Sequence, residues 1–367
     1  MSILLRFRRL PLRAALCCLL LLSLLSSASA DGRWTTLTSA SDPVPEAFLV
    51  DEFSGTVTAT FLGDCTLGGE EKSRSSALGY LRRVADNGTG FPMRFLKALA
   101  AHDDLTVANL EGVLTDRDLA KVEKKYNFNG PTAFTDILLS GGIDGVTLAN
   151  NHSHDYGEPG YADTKAALDA AGVGWFGTDA PAVWTNEAGL KIGFIGVSFS
   201  LSGDRYRRYQ RQMDSLRALG CAAVVTVMHA GTEYSYTPDD YQRQIVRRAL
   251  SCGTDLIIGH HPHVVQGYEV LDGVPVVYSL GNCSFGGTTH AKDSDALVVQ
   301  ADLTFEDSVL TDIALRFYPI SITSDAHYNN YSPMFLTGRD AERVLRKMKD
   351  STGVDPAPLQ GAVPEAE

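Results

Sequence analysis

The chain has 367 residues, 44% hydrophobic and 21% charged, with a formal net charge of −12. That is enough apolar material for a full core. So acidic a balance argues against nucleic acid as a partner, because phosphate binding needs a basic footprint.

The first segment reads as an address. Arg6, Arg8, Arg9 and Arg13 precede an apolar stretch from Ala14 to Leu25, and Ala28-Ser29-Ala30 closes it with the small-residue pattern of a cleavage site. Residues 1–30 are therefore expected to be a signal peptide cut before Asp31. The alternative is an uncleaved anchor, for which the run falls short of the roughly 20 apolar residues of a spanning helix. On either reading the protein is exported, to the cell envelope or beyond. Cleavage would remove Cys17 and Cys18 and leave Cys65, Cys221, Cys252 and Cys283. An even set in an oxidising compartment predicts disulfides, with Cys221 to Cys252 favoured and Cys65 to Cys283 as the remaining pair.

Residues 31–54 read as an irregular lead-in, 55–320 as one domain, and 321–367 as an extension. That extension is expected to hold a short helix near Arg339 to Lys349, then a disordered tail carrying Pro356, Pro358 and Pro364. Within the domain the predicted strands run Thr56 to Leu62, Leu105 to Ala108, Gly145 to Ala149, Lys191 to Val197, Ala222 to Met228, Leu256 to Gly259 and Val274 to Leu280. Several are near-continuous apolar runs, as in sheets covered on both faces. Helical stretches alternate with them. Glu158 to Ala171 stops at Gly172, and Thr237-Pro238-Asp239-Asp240 opens another, with Thr237 as the capping hydroxyl. Alternation of this kind indicates an α/β fold with much parallel pairing.

Polar residues recur where these strands end: Asp64, Glu111, Asn151-His152, His229 and His260-His261-Pro262-His263. In open α/β sheets the ligand crevice lies at the carboxyl ends of strands. Imidazoles with carboxylates suit a divalent ion such as Zn, Mn or Fe, one or two of them. Asp64, Glu111, Asn151, His229, His261 and His263 are the candidate metal ligands. His261 and His263 flank a proline, and in extended backbone residues two apart point to one side, so both rings are expected to reach one centre. His152 is the candidate acid–base residue. His154 or Asp155 would orient it, with Asp155 equally readable as a turn residue. His260 is either a supporting neighbour or solvent-facing, and Asn282, after the last strand, is a further supporting candidate.

The series Gly63-Asp64, Asn109-Leu110-Glu111-Gly112, Asn129-Gly130-Pro131, Ala149-Asn150-Asn151-His152, Asp155-Tyr156-Gly157, Met228-His229-Ala230-Gly231, Gly259-His260-His261-Pro262-His263-Val264 and Ser279-Leu280-Gly281-Asn282 resembles the bacterial capsule-synthesis CapA family. That family is similar to the calcineurin-like metallophosphoesterases. The resemblance implies a four-layer αββα sandwich of the metallophosphoesterase type, with Asn151 a ligand and His152 the proton donor to a leaving group. It also shows two departures: Thr66 stands where a ligand His is usual, and Glu111 where a bridging Asp is usual. One strong and one weak metal site would follow. The implied function is poly-γ-glutamate capsule synthesis or export, with membrane-bound capsule machinery as partner. The residues themselves also allow a secreted metal-dependent hydrolase, cutting a phosphoester or the amide of a γ-glutamyl or cell-wall peptide. Its substrate would be an acidic polymer or peptide. A non-catalytic metal-containing module is the third reading.

Overall fold

The computed structural model describes residues 33–38, 52–73 and 76–363. The expected signal peptide and part of the lead-in lie outside the described residues. Among these, no helix is long and apolar enough to cross a membrane.

Two mixed sheets carry the fold. From edge to edge the first comprises Trp34–Thr36, Ala182–Thr185, Lys191–Ser198, Cys221–His229, Leu256–His260, Val274–Val277 and Tyr268–Leu271. The second comprises Met334–Phe335, Val309–Ser321, Asp295–Glu306, Gly55–Thr66, Leu105–Leu110, Gly145–Thr147 and Gly174–Phe176, with Asn282–Phe285 also paired to Gly55–Thr66. Within them, Lys191–Ser198, Cys221–His229 and Leu256–His260 run parallel, as do Gly55–Thr66, Leu105–Leu110, Gly145–Thr147 and Gly174–Phe176. All these carboxyl ends therefore share one edge of their sheet.

The strand period of two sorts the side chains into layers. Val57, Ala59, Phe61, Leu105 and Val107 of one sheet meet Ile192, Phe194, Val225, Val227 and Ile258 of the other in a shared core. On the outer face of the second sheet, Ala108, Leu110 and Val146 pack with Tyr80, Val84, Ile137, Leu138 and Leu168, which come from helices Tyr80–Asn87, Thr135–Ser140 and Gly157–Ala171. On the outer face of the first sheet, Ile195, Val224 and Met228 pack with Tyr209, Met213, Ile245 and Ala249 of helices Gly203–Ala218 and Asp240–Ser251. The order is helix, sheet, sheet, helix, the four-layer αββα sandwich expected.

Several local expectations need correction. The lead-in is not irregular throughout: Trp34–Thr36 pairs with Ala182–Thr185 as an edge strand. Trp34 is buried, and its indole fills the space that Gly145 and Gly174 leave open. A Cβ at either glycine would come within 2.5 or 2.4 Å of the ring. Nor does the domain end at 320. Helix Gly338–Thr352 sends Val344, Leu345 and Met348 into the shared core. Beyond it, the stretch expected to be disordered docks through 361, where the Gly361 N–H donates to Phe317 O at 2.9 Å. Prolines had suggested disorder there, but the backbone has a partner strand. The cap of helix Asp240–Ser251 is Asp239, not Thr237; its carboxylate accepts from the Tyr241 and Gln242 amides, and Gln242 reaches back to close a capping box.

The four described cysteines are thiols, and no bridge joins the expected pairs in this structure. Cys252 Sγ instead lies 3.6 Å from the Tyr206 hydroxyl. Cys65 and Cys283 sit on neighbouring strands, Gly55–Thr66 and Asn282–Phe285. The neighbouring Cys65 thiol and burial push the Cys283 thiol up.

Candidate metal centre

Asp64 and Glu111 come from the second sheet's carboxyl edge, His229 and the 260–263 turn from the first sheet's, and Asn151 and His152 from the loop after Gly145–Thr147. Strand Gly55–Thr66 runs past Asp64, so the side chain leaves the strand itself rather than a following turn. Two groups of donors converge. Asp64, Glu111 and His263 have ligand atoms within 4.8 Å of one another, and so do Glu111, His229 and His261. Glu111 belongs to both. Asn151 joins the second group, its Oδ1 lying 2.6 Å from His229 Nε2, while His261 Nδ1 lies 3.0 Å and Glu111 Oε1 3.5 Å from the same nitrogen.

This is a crowd of lone pairs with too few protons to satisfy it. Both Glu111 oxygens are fully buried and have no hydrogen-bond partner. A buried carboxylate without a partner is costly unless a cation faces it. Burial, then the charge of Asp64, holds the Glu111 carboxyl well above the usual range. Asp64 goes the other way: burial alone would raise it, but its bonds to His260 and His263 win and hold it well below. Burial also lowers His229, helped by His261, and lowers His261, helped by His263. Both are thus neutral, the state in which imidazole binds a metal. His263 differs: burial would lower it, yet Glu111 and Asp64 raise it to about 10. The donor set fits a divalent ion, with the borderline chemistry of imidazole and carboxylate.

His261 and His263 reach the centre by a route that extended backbone does not provide. Their φ angles are 98° and 55°, a left-handed region costly for residues with side chains. The two rings go to different donor groups rather than to one. Strained backbone of this kind persists only where the surrounding structure holds it, here at a cluster of donors.

Residues 58–286 match the family described as bacterial capsule synthesis protein PGA_cap. The chain belongs to this family. It is similar to the PGA biosynthesis protein CapA of Bacillus subtilis (strain 168), 28% identical over 65% of this chain and 66% of that protein. It is also similar to the capsule biosynthesis protein CapA of Bacillus anthracis, 27% identical over 81% of this chain and 74% of that one. Among solved structures, a purple acid phosphatase, PPD1, from yellow lupin seeds aligns at a TM-score of 0.35 and 10% identity, over 81% of this chain and 57% of that chain. A likeness so slight adds nothing to the layer order.

Around the donors of this PGA_cap chain, His152 is buried with its Nδ1 2.8 Å from Asp155 Oδ2 and its Nε2 4.0 Å from Glu111 Oε1. Burial lowers its pKa against the pull of Asp155. Asp155 is thus no mere turn residue; Oδ2 also accepts from the Phe128 amide at 2.6 Å. His154 does not orient His152. It is half exposed, stacked on Tyr161 and 3.3 Å from Glu158, because helix Gly157–Ala171 begins beside it. His260 is buried rather than solvent-facing, with Nδ1 3.3 Å from Asp64 Oδ1. Asn282 Oδ1 lies 2.9 Å from His263 Nδ1. Thr66 is buried and its hydroxyl has no partner, so the Asp64 group has three protein donors where the His229 group has four.

Three neighbours escaped the sequence reading. Asn109 Nδ2 donates to Asp64 Oδ1 at 2.7 Å and lies 3.1 Å from His229 Nδ1, while Asn150 Nδ2 donates to Asn109 Oδ1 at 2.9 Å. Asn150 Oδ1 accepts from the His152 amide at 3.0 Å. These two amides tie together the two donor groups and the acid–base residue. Lys124 Nζ donates to Asn151 O at 2.8 Å and pairs with Asp155. The one available signal was Asn109 inside an apolar strand, where amides are uncommon.

Proposed function

We propose that this protein is an exported factor of poly-γ-glutamate capsule synthesis or export, and that its metal centre works as a metal-dependent hydrolase on an acidic polymer or peptide. The family membership supports the first half. The observation that carries the second is Glu111, a buried carboxylate with no hydrogen-bond partner, shared by two donor groups. Asp64, Glu111 and His263 would hold one ion; Glu111, Asn151, His229 and His261 would hold a second, more firmly by one donor. A bound divalent ion supplies Lewis-acid polarisation and acidifies a water. Zn, Mn and Fe all suit this donor set.

His152 handles the proton. Its Nδ1 is occupied by Asp155, so Nε2, facing Glu111, is the atom that takes or gives it. Burial lowers its affinity for that proton, which leaves the ring neutral and ready to accept at neutral pH. A purely structural metal site would have no use for such a residue, and this favours the hydrolase over a non-catalytic module.

The test is elemental analysis paired with turnover of a generic phosphodiester and of poly-γ-glutamate, for wild type, His152→Ala and His261→Ala. Stoichiometric metal lost in His261→Ala, with turnover lost in His152→Ala, supports the hydrolase and names its bond. Metal without turnover leaves a capsule role that needs no hydrolysis. No metal in any preparation, even after reloading, removes the site.

A further inference from the structure

A cavity of about 320 Å³ lies on the His229–His261 side of the metal centre, at the same strand-end edge. Its residues include Asn150, Ser198, Phe199, Arg205, Arg208 and Asp179. Phe199 is the wall between cavity and centre. Its amide donates to His229 O at 3.0 Å, and its ring meets that of His261 edge-on at 5.8 Å. It holds this place with φ at 61°, an unusual conformation for a bulky side chain, and it is 46% exposed. Such an outlier beside a metal centre points to a wall that is shaped for use.

The cavity's chemistry favours an anion. Arg208 is neutralised by Asp179, but Arg205 has no carboxylate partner among the described residues; its Nη1 donates to Ser200 Oγ at 3.2 Å. The Ser198 hydroxyl is sealed from solvent and finds no hydrogen-bond partner. Helix Gly203–Ala218 starts at this edge, and its N-cap Ser202 makes no side-chain bond to the first turn, leaving the positive end of the helix dipole uncapped. Asp204 in that turn is held by Arg207. Against an overall charge of −12, this is a locally cationic recess. Its volume lies at the small end for ligand pockets, suited to one amino-acid-sized unit.

We infer that this cavity is a carboxylate subsite: it seats one carboxylate-bearing unit of the substrate beside the bond presented to the His229–His261 donors, with Arg205 pairing to the carboxylate over Phe199. The inference rests on the hydrolase reading above, because it needs a substrate at that centre.

The test measures binding of a short synthetic γ-linked glutamate oligomer, and of the same oligomer with its carboxylates converted to amides. The proteins are metal-loaded wild type, Arg205→Gln and, as a control of equal charge on the same helix outside the cavity, Arg211→Gln. A charge-assisted hydrogen bond of about 1.5–3 kcal/mol converts to a 10- to 150-fold effect. Arg205→Gln should weaken the acid by at least about tenfold and leave the amide unchanged, while Arg211→Gln binds as wild type. Equal binding of acid and amide by wild type, or equal loss in both arginine variants, overturns the subsite. Metal content is measured on the same samples: normal metal with no discrimination sinks the subsite alone, whereas absent metal sinks the hydrolase reading beneath it.

Discussion

Replacing Glu111 with Gln keeps the shape and removes one buried negative charge. In the ion-free protein this carboxylate has no hydrogen-bond partner and lies beside Asp64. An unsatisfied buried group costs about 1–3 kcal/mol. The amide leaves polar atoms unpaired in turn, so a net gain of about 1 kcal/mol is expected, about 2 °C in Tm for a chain of this size. With a divalent ion at one hundred times its Kd, wild type should gain about 2.7 kcal/mol, roughly 5 °C on the same scale, and Glu111→Gln should gain nothing. The pH dependence adds a sign. The Glu111 carboxyl is held above its usual range by burial and Asp64. Its contribution is complete below the ordinary carboxylate pKa and is lost as pH rises through the raised value. Ion-free wild type should therefore lose stability with rising pH relative to the variant. Differential scanning calorimetry in chelator and in Mn²⁺ or Zn²⁺, from pH 5 to 8, reads all three. A variant less stable than wild type in chelator, or one that keeps the ion-induced shift, would refute the account of Glu111 as a frustrated carboxylate awaiting a cation.

His263, raised to about 10 by Glu111 and Asp64 against burial, carries a proton at neutral pH in the ion-free protein. Ion uptake by the Asp64 group should release protons from His263 and Glu111 and tighten as pH rises; calorimetry in two buffers of different ionisation heat would give identical enthalpies if neither group held a proton. Asp155→Asn should leave metal content intact and lower turnover by about 10- to 100-fold, with the pH profile displaced because His152 loses its anchor; an unchanged profile would make Asp155 a structural residue. Trp34→Ala empties the space between Gly145, Gly174 and Phe194 and should cost about 3–5 kcal/mol in denaturant unfolding. A loss below about 1 kcal/mol would mean the edge strand is dispensable.

The strand ends were readable because a parallel sheet leaves its carboxyl ends along one edge. Asp64, Glu111, Asn151, His152 and His229, each following an apolar run, had to gather there once the runs were strands. The turn at 261–263 was readable in composition but not in shape: extended backbone would have sent both rings to one place, whereas left-handed residues divide them between two donor groups. Asn109 and Asn150 stood in the motif series, but their contacts could not be read from it. An amide has no chemistry of its own to betray it, and only the register between strands shows that it lies under Asp64 and His229. Trp34 and the segment around Gly361 were misread because their partners, Ala182–Thr185 and Phe317, are remote in the chain.

Strand Asn282–Phe285 lies parallel against the end of Gly55–Thr66, setting Asn282 opposite Asp64 across most of the length of the domain. A nascent chain has Asp64 early but cannot steady His263 until Asn282 has been made and has docked. An ion bound at this centre would therefore be captured late, once the whole sandwich has closed. A fragment truncated ahead of that strand carries every candidate donor and still lacks the brace at His263.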